Sequence, residues 1–212
     1  MNLKTITKLA ASVSLLAGLS STASASVPSG DVYIKKISYN GSGCPRNSVN
    51  KNVSSDKKAF TLTFSEYIAE AGPGLSLRDG RKNCQVTVDL KVPQGWQFSI
   101  GTFDYRGFVY LENSGIRATH NTSYYFQGQG RTGRFSETMR GFKDDYYHYR
   151  EQVGLESYVW STCNSSRALN INTSISVKNY KKRRNPDAEG IIGTDSLDGS
   201  IKQIWGLRWR RC

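Results

Sequence analysis

Histidine, methionine and long apolar runs are all scarce in this chain of 212 residues. It contains two histidines and two methionines, and its 29 lysines and arginines outnumber its 17 aspartates and glutamates, which gives a formal net charge of +12. A Ser-His-Asp or Cys-His mechanism would need His120 or His148 as its base, and no G-x-S-x-G motif accompanies either residue. The length fits one domain or at most two, and the hydrophobic fraction of 37% is enough for a packed core.

One uncharged, largely apolar run, residues 9–19, lies near the N-terminus. It follows two lysines and precedes Ala23-Ser24-Ala25, an A-x-A cleavage signal, and it is too short to span a bilayer. We therefore expect a Sec-type signal peptide over residues 1–25, cleaved near Ala25, followed by a single secreted or periplasmic domain over residues 26–212. Cleavage would remove the two lysines and leave 187 residues with a net charge of +10 and without a membrane-spanning segment.

The four cysteines are Cys44, Cys84, Cys163 and Cys212. An even number of cysteines in an exported chain is typical of disulfides, whereas a zinc site would favour close pairs such as C-x-x-C, which this chain lacks. Two disulfides are therefore predicted. Three pairings are possible, of which the sequential one, Cys44–Cys84 and Cys163–Cys212, closes two loops of similar size.

Apolar and polar residues alternate along most of the chain after residue 26, and no stretch shows sustained helical periodicity. Residues 60–64, 84–92 and 169–177 are clear examples. Because successive side chains of a strand point to opposite faces, each run would give a sheet one buried and one wet face. Nine to eleven such strands, separated by Gly, Pro, Asn and Asp turns, predict an all-β fold, an antiparallel β-sandwich of the jelly-roll type.

Local features refine this prediction. A change of phase at Lys35-Lys36 indicates a bulge in the first strand. Separate strands are predicted at residues 96–100, 105–111 and 155–160. Residues 128–133 match G-x-G-x-x-G, but β-prone sequence follows where a dinucleotide site needs a helix, so a glycine-rich hairpin turn is predicted there.

Several short segments resemble a family of small secreted proteins of fungi and bacteria, domain-of-unknown-function family 4360. In chain order they are residues 37–45 (ISYNGSGCP), 81–85 (RKNCQ), 93–98 (PQGWQF), 105–107 (YRG), 160–163 (WSTC), 169–172 (LNIN), 194–199 (TDSLDG) and the end of the chain from Trp205 to Cys212. The resemblance spans nearly all of the mature chain. It implies a secreted β protein held by disulfides, and it implies no activity, because no catalytic residue of the family can be carried over.

Acidic residues offer weak candidates for a cation site. Asp195 and Asp198 precede Gly199, and extracellular calcium sites use such oxygen ligands, but the spacing differs from the EF-hand loop and Asp-Gly is also ordinary turn chemistry. Asp144 and His148 would share one face of a strand. We expect no resident cofactor or metal, with calcium at Asp195 and Asp198 as the alternative.

Basic residues interleaved with aromatic residues are the strongest functional feature of the chain. A field of positive sign attracts polyanions such as acidic polysaccharides or lipid headgroups, and aromatic rings can stack on sugars. The predicted binding residues are Arg131, Arg134, Arg140, Lys143, Tyr146, Tyr147, Arg150, Lys181, Lys182, Arg183, Arg184, Arg208 and Arg210.

These features predict a secreted, non-enzymatic, basic protein that binds an acidic polymer, a glycan or another acidic cell-surface ligand. Secretion argues against an intracellular nucleic-acid partner. Two alternatives stay open. One is a membrane-active secreted toxin that docks to lipid headgroups. The other is a hydrolase of cell-wall or other polysaccharides, with His148 and glutamates such as Glu112, Glu137, Glu151 and Glu156 as candidates.

Overall fold

The computed structural model describes residues 27–30, 32–163, 168–193 and 201–212. The predicted signal peptide and the candidate calcium ligands Asp195 and Asp198 lie outside the described residues. The described residues form twelve strands: β1 (Tyr33–Asn40), β2 (Val49–Val53), β3 (Ala59–Phe64), β4 (Ala69–Ala71), β5 (Arg81–Lys91), β6 (Trp96–Leu111), β7 (Ile116–Phe126), β8 (Gly133–Arg140), β9 (Lys143–Gln152), β10 (Leu169–Asn179), β11 (Gly190–Gly193) and β12 (Ile201–Arg211).

The strands form two antiparallel sheets. The first sheet has five strands in the order β1-β5-β10-β7-β8. The second has seven, in the order β2-β3-β12-β6-β11-β4, with β9 paired to β6. Residues 102–106 of β6 pair with both β9 and β12, and residues 108–111 pair with both β9 and β11. Since a strand has two edges, β9 lies along one edge of β6, and β12 and β11 follow one another along the other.

The two sheets pack face to face around an aromatic core. The ring centroids of Phe98 on β6 and Phe126 on β7 are 5.1 Å apart, and those of Phe103 and Tyr124 are 5.6 Å apart. All four side chains are buried. These contacts join the central strand of the second sheet to the first sheet, and they confirm the predicted antiparallel β-sandwich.

A polar cluster lies within this core. His120 on β7 is fully buried, its Nε2 lies 3.0 Å from the Thr173 hydroxyl oxygen, and its ring centroid is 4.2 Å from that of Tyr105. The Thr122 hydroxyl donates to the same oxygen of Thr173 at 3.3 Å. Because burial disfavours the charged imidazolium, it lowers the pKa of His120 from 6.5 to about 3.

Local features of the fold agree with the sequence in some places and differ in others. The register of β1 against β5 shifts between Ile34 and Lys36, which confirms the predicted bulge. Residues 127–132 join the paired strands β7 and β8 as a hairpin, as predicted. Residues 96–111 form one strand rather than two, because pairing with β12 continues across a register shift at Gly206 and Leu207.

The strand predicted at residues 155–160 is wrong. Leu155–Ser157 form a single 3-10 turn, closed by a hydrogen bond from the Ser157 amide to the Gly154 carbonyl, and Leu155 is exposed. The chain bonds to β6 before this turn, from the Val153 amide, and after it, from the Ser161 amide. The apolar residues between these two points therefore belong to a connection that leaves the sheet edge and returns to it.

Both predicted disulfides are present, and they join the sequential pairs. Cys44, in the β1–β2 connection, is bonded to Cys84 of β5, and both cysteines are buried in the core. Cys163, which follows the 3-10 turn, is bonded to Cys212 at the end of the chain. Within the described residues, no helix has the length and apolar character needed to cross a bilayer.

Candidate functional site

The outward face of β6 carries a group of charged and aromatic side chains that the strand register brings together. Along β6, residues with buried side chains such as Phe103, Tyr105 and Val109 alternate with Asp104, Arg106 and Phe108. The pairing with β9 places Arg150 opposite Asp104, His148 opposite Arg106 and Tyr146 opposite Phe108. One face of two adjacent strands therefore holds three cationic or titratable side chains, one carboxylate and two aromatic rings.

Asp104 is the centre of this group. Its side chain is 4% exposed, and it accepts a hydrogen bond from His148 Nε2 at 3.0 Å. Arg150 donates to Oδ2 of Asp104 from Nε at 2.9 Å and from a terminal nitrogen at 2.5 Å. Arg106 Nε lies 3.5 Å from Oδ1. One covered carboxylate thus holds three side chains that each keep about half of their own surface in solvent.

The pKa of Asp104 reflects two opposing effects. Burial raises it, but the hydrogen bonds from Arg150 and His148 and the positive charge near the carboxylate outweigh burial, so the pKa lies below its ordinary value of 3.8. Asp104 therefore carries a negative charge at neutral pH. Because the arginines cover that charge, the guanidinium groups are exposed to solvent and the carboxylate is not.

Two arginines of β12 extend the group along the same face. Arg208 pairs with Ser99, and its side chain crosses above Gly101, where an added Cβ would lie 2.4 Å from Arg208 Cγ. Arg210 pairs with Gln97, and its Nε donates to Oε1 of that residue at 2.7 Å. We call Arg106, Arg150, Arg208 and Arg210 the arginine stripe. It follows β6 from residue 106 to residue 97, which at about 3.3 Å per residue is roughly 30 Å.

Aromatic rings lie at both ends of the arginine stripe. At one end Phe108 and Tyr146 form an edge-to-face pair with centroids 5.7 Å apart, and Tyr146 is 54% exposed. At the other end Tyr158 and Trp160 form a similar pair at 5.7 Å, and the guanidinium of Arg210 lies 4.2 Å from the centroid of Trp160. The face therefore offers planar apolar surface beside fixed cations.

The predicted binding residues lie on several surfaces. Arg150, Arg208, Arg210 and Tyr146 lie on the face of the arginine stripe. Arg134 and Arg140 are exposed on β8, on the opposite outer face of the sandwich, and Arg131 lies in the β7–β8 turn. Lys143 is half-buried at the start of β9, and Lys181, Lys182, Arg183 and Arg184 are exposed in the β10–β11 connection.

The prediction that Tyr147 is a binding residue is wrong. The alternation of β9 turns it away from its neighbours Tyr146 and His148 and into the core, where it is 6% exposed and its hydroxyl lies above Gly107. Burial, with a smaller contribution from Tyr149, raises the pKa of its phenol. Strand parity explains why Tyr147 cannot lie on the binding face. Residues 146, 148 and 150 point to one side of β9, and residue 147 points to the other.

The predicted binding residues do not include Asp104, Arg106, Phe108 or Trp160, which belong to this face. Parity within β6 could have grouped the first three, since they are two residues apart. Nothing in the sequence pairs them with β9 or places Trp160 beside Arg210, because those contacts depend on the register of non-adjacent segments.

The described residues hold no cluster of three or more His, Cys, Asp or Glu side chains arranged to bind a metal ion. His148 hydrogen-bonds Asp104, and that carboxylate is shared with two arginines. Asp104, to which His148 is hydrogen-bonded, therefore holds the guanidinium groups of Arg106 and Arg150 in place. The face exposes guanidinium groups and aromatic rings beside one another.

Replacing Asp104 with Asn should lower the free energy of unfolding by about 1 kcal/mol at pH 7, a value reduced because the partners of Asp104 are half exposed. The lowered pKa means that Asp104 stabilises the fold above 3.8, its unfolded value, and that this contribution is lost as pH falls through the folded pKa. Urea unfolding of both proteins should therefore differ at pH 7 and converge in stronger acid. D144N, at an exposed position of β9, is the control and should match the parent at both pH values.

Comparison with known proteins gives the family. The family described as Domain of unknown function (DUF4360) matches residues 30–212. An "Uncharacterized secreted protein" of Arthroderma benhamiae is 39% identical over 181 residues, which cover 85% of this chain and 72% of the relative. The resemblance seen in the sequence is therefore confirmed.

Two solved structures show a distant likeness. TmCBM61, in complex with beta-1,4-galactotriose, matches with 8% identity and a TM-score of 0.25 over 84% of this chain and 90% of its own. A family 11 carbohydrate-binding module from Clostridium thermocellum, in complex with a beta-1,3-1,4-mixed-linked tetrasaccharide, matches with 9% identity and a TM-score of 0.23 over 81% of this chain and 89% of its own. Scores this low carry no conclusion about function. The sequence match, the secreted relative and the two disulfides together identify the chain as a secreted β-sandwich protein of the DUF4360 family.

Proposed function

We propose that the protein binds acidic polysaccharides along the arginine stripe. The observation that carries this proposal is the alignment of Arg106, Arg150, Arg208 and Arg210 on one face of the second sheet, with an aromatic pair at each end. A guanidinium group binds carboxylate or sulfate oxygens through two parallel hydrogen bonds, which a lysine cannot do. A row of such groups matches a polymer that carries regularly spaced acidic groups.

The arginines are held in place before any ligand arrives. Asp104 fixes Arg150 and Arg106, Gln97 and Trp160 fix Arg210, and Gly101 provides the space for Arg208. Side chains that are already ordered lose less conformational entropy on binding. The aromatic pairs add apolar surface on which the C–H faces of sugar rings can lie.

The geometry favours recognition over the hydrolase alternative. A glycosidase needs two carboxyl groups about 5–10 Å apart on either side of the scissile bond, one of which must be protonated or free to attack. On the stripe, the carboxylate between the arginines is Asp104, which is covered and engaged by three partners. Asp104 therefore orients the arginines and is poorly placed to reach a glycosidic bond.

The test is the affinity for polygalacturonate and for heparin, with neutral dextran as the comparison, measured by isothermal titration calorimetry at low and physiological salt. In the triple variant R150Q/R208Q/R210Q the affinity for the acidic polymers should fall roughly 30-fold, since each exposed charged contact contributes about 0.5–1 kcal/mol. The remaining binding should also depend less on salt, because fewer ionic contacts are screened.

The matched control is R131Q/R134Q/R140Q, which removes the same charge from the β7–β8 turn and the other outer face. We expect it to keep affinity within about threefold of the parent, because only the long-range field changes. Equal losses in the two triple variants would show that net charge alone attracts the polymer and would refute a site at the stripe. Equal binding of dextran would refute selection of acidic glycans.

A further inference from the structure

A second surface lies where three connections meet at one end of the sandwich: residues 72–80 between β4 and β5, residues 112–115 between β6 and β7, and residues 180–189 between β10 and β11. The first and third connections border a cleft of about 440 Å³. Its lining combines apolar side chains, Leu75, Leu77 and Tyr180, with the cations Arg81, Lys178 and Lys182. This surface is separate from the arginine stripe.

The apolar side chains of this end are unusually exposed. Leu77 is 89% exposed, Tyr180 57% and Leu75 44%. Single exposed apolar residues are common, but these three line one cleft, and exposed apolar groups that cluster mark an interaction surface. Their exposure therefore calls for a partner with an apolar region.

The leucines are held outward by an ordered loop. The Asp79 carboxylate accepts hydrogen bonds from the amide and the hydroxyl of Ser76 at 2.9 and 2.7 Å, and the Ser76 hydroxyl accepts one from the Arg78 amide at 3.3 Å. The Leu75 amide donates to the Gly72 carbonyl at 3.4 Å. A loop bonded in this way keeps Leu75 and Leu77 in water rather than folding them onto the sheet.

The basic connection is equally ordered. The side chain of Asn179 bonds both ends of the turn, accepting from the Lys181 amide at 2.9 Å and donating to the Asn185 carbonyl at 2.7 Å. Lys181 Nζ also lies 3.5 Å from the Ser114 hydroxyl of the neighbouring connection. Tyr180 lies under two cations, Arg117 at 4.8 Å and Lys178 at 5.1 Å from its ring centroid. Lys182 is thereby presented in the cleft beside the exposed leucines, and its neighbours Lys181, Arg183 and Arg184 are exposed.

We propose that this end of the molecule docks onto anionic lipid bilayers. An anionic bilayer presents a layer of phosphates directly beside acyl chains, and the cleft presents cations directly beside leucines and a tyrosine. The leucines would enter the interfacial region while Lys182, Arg183 and Arg184 contact phosphates. A flexible polysaccharide would satisfy the cations but would leave Leu77 in water, so the charge and the exposed apolar groups together favour a lipid surface. This inference goes beyond the proposed glycan site and does not depend on it.

The test is flotation of the full mature chain with vesicles of phosphatidylcholine alone and with vesicles of phosphatidylcholine and phosphatidylglycerol. The parent should float with the anionic vesicles and stay behind with the neutral ones. In L75S/L77S the apparent affinity for anionic vesicles should fall roughly tenfold or more, since each variant position loses the burial of a leucine side chain. In K182Q/R183Q it should fall by about the same factor, and raised salt should add little further loss.

R150Q/R208Q is the matched control, because it removes two charges from the stripe and leaves this end unchanged. It should float like the parent, while L75S/L77S should bind polygalacturonate like the parent. Thermal unfolding checks that each variant is folded, which the exposure of the altered side chains favours. Flotation of L75S/L77S equal to that of the parent would overturn the proposal, as would flotation lost only in R150Q/R208Q. The first of these results would leave the glycan proposal unchanged, whereas the second would show that the stripe also binds lipid phosphates.

Discussion

Between pH 6.5 and about 3 the protein should lose about 1.4 kcal/mol of unfolding free energy for each pH unit of acidification, because His120 is buried in its neutral form. At pH 4 the accumulated loss is roughly 3 kcal/mol, a large part of the stability of an ordinary domain. Urea unfolding followed by tryptophan fluorescence at a series of pH values measures this slope directly.

The sign follows from where the proton binds. The imidazole lies between the sheets, next to the ring of Tyr105 and the hydroxyl of Thr173, and these groups give a cation little compensation for lost water. Glu137 is opposite His120 in the β7–β8 pairing. The unfolded chain binds a proton at His120 below pH 6.5, whereas the folded chain does so only near pH 3. The unfolded state therefore holds more protons in this interval, and stability falls as pH falls.

Two variants separate His120 from other acid effects. H120Q keeps a polar side chain but cannot titrate, so its free energy of unfolding should be nearly flat from pH 6.5 to 4 whatever its value at pH 7. H148Q removes the half-exposed histidine of β9 and leaves His120 in place, so its stability should still fall in acid. Asp104 loses most of its own contribution below its unfolded pKa of 3.8, so it adds little between pH 6.5 and 4.

Should H120Q not fold, the imidazole signals of the parent can be followed by NMR. They are expected to show one histidine that stays neutral through pH 5. A slope unchanged in H120Q, or an imidazole of His120 that protonates near pH 6.5, would contradict the burial argument. The prediction concerns the core, and it is independent of both proposed binding surfaces.

The sheet architecture could be predicted because each long strand shows, in its own sequence, which of its side chains face the core. In β10 the residues Leu169, Ile171 and Ile175 are buried, and the asparagines and serines between them are less so, as the alternation indicates. The short strands β2, β4 and β11 were not among those predicted. They have three to five residues, too few to show a clear alternation, and the pairing partners of β4 and β11 are distant in the sequence.

The binding face could be predicted only in part. That Arg208 and Arg210 lie on one face follows from strand parity alone, since they are two residues apart on β12. Their distance from Arg150 depends on two separate pairings of β6, with β12 and with β9, which no local pattern reveals. For the same reason the basic run at residues 181–184 could not be distinguished from the stripe, although it lies in a connection at one end of the sandwich.

Removing the Cys163–Cys212 disulfide should weaken binding of acidic polysaccharide, whereas removing Cys44–Cys84 should not. Cys212 follows directly on Arg210 and Arg211, and Cys163 follows Trp160, so this disulfide joins the two segments whose side chains meet at 4.2 Å at one end of the stripe. In C163A/C212A both segments should fray, and the affinity for polygalacturonate should fall roughly three- to tenfold, about the contribution of one arginine with its aromatic partner. Calorimetry at a temperature where the variant remains folded gives the measurement.

Removing either disulfide should lower the free energy of unfolding, so the two double variants can be compared at similar losses of stability. The disulfides close loops with sequence separations of 40 and 49 residues, for which loop-closure entropy predicts a loss of about 4 kcal/mol each. C44A/C84A should lose at least as much as C163A/C212A, since Cys44 and Cys84 are also buried and their sulfurs fill core volume. It should nevertheless bind polygalacturonate like the parent, because Cys84 lies on β5 of the first sheet whereas the stripe lies on the second. If affinity instead followed stability equally in the two variants, the end of β12 would have no specific part in recognition, and the stripe would have to end at Arg208.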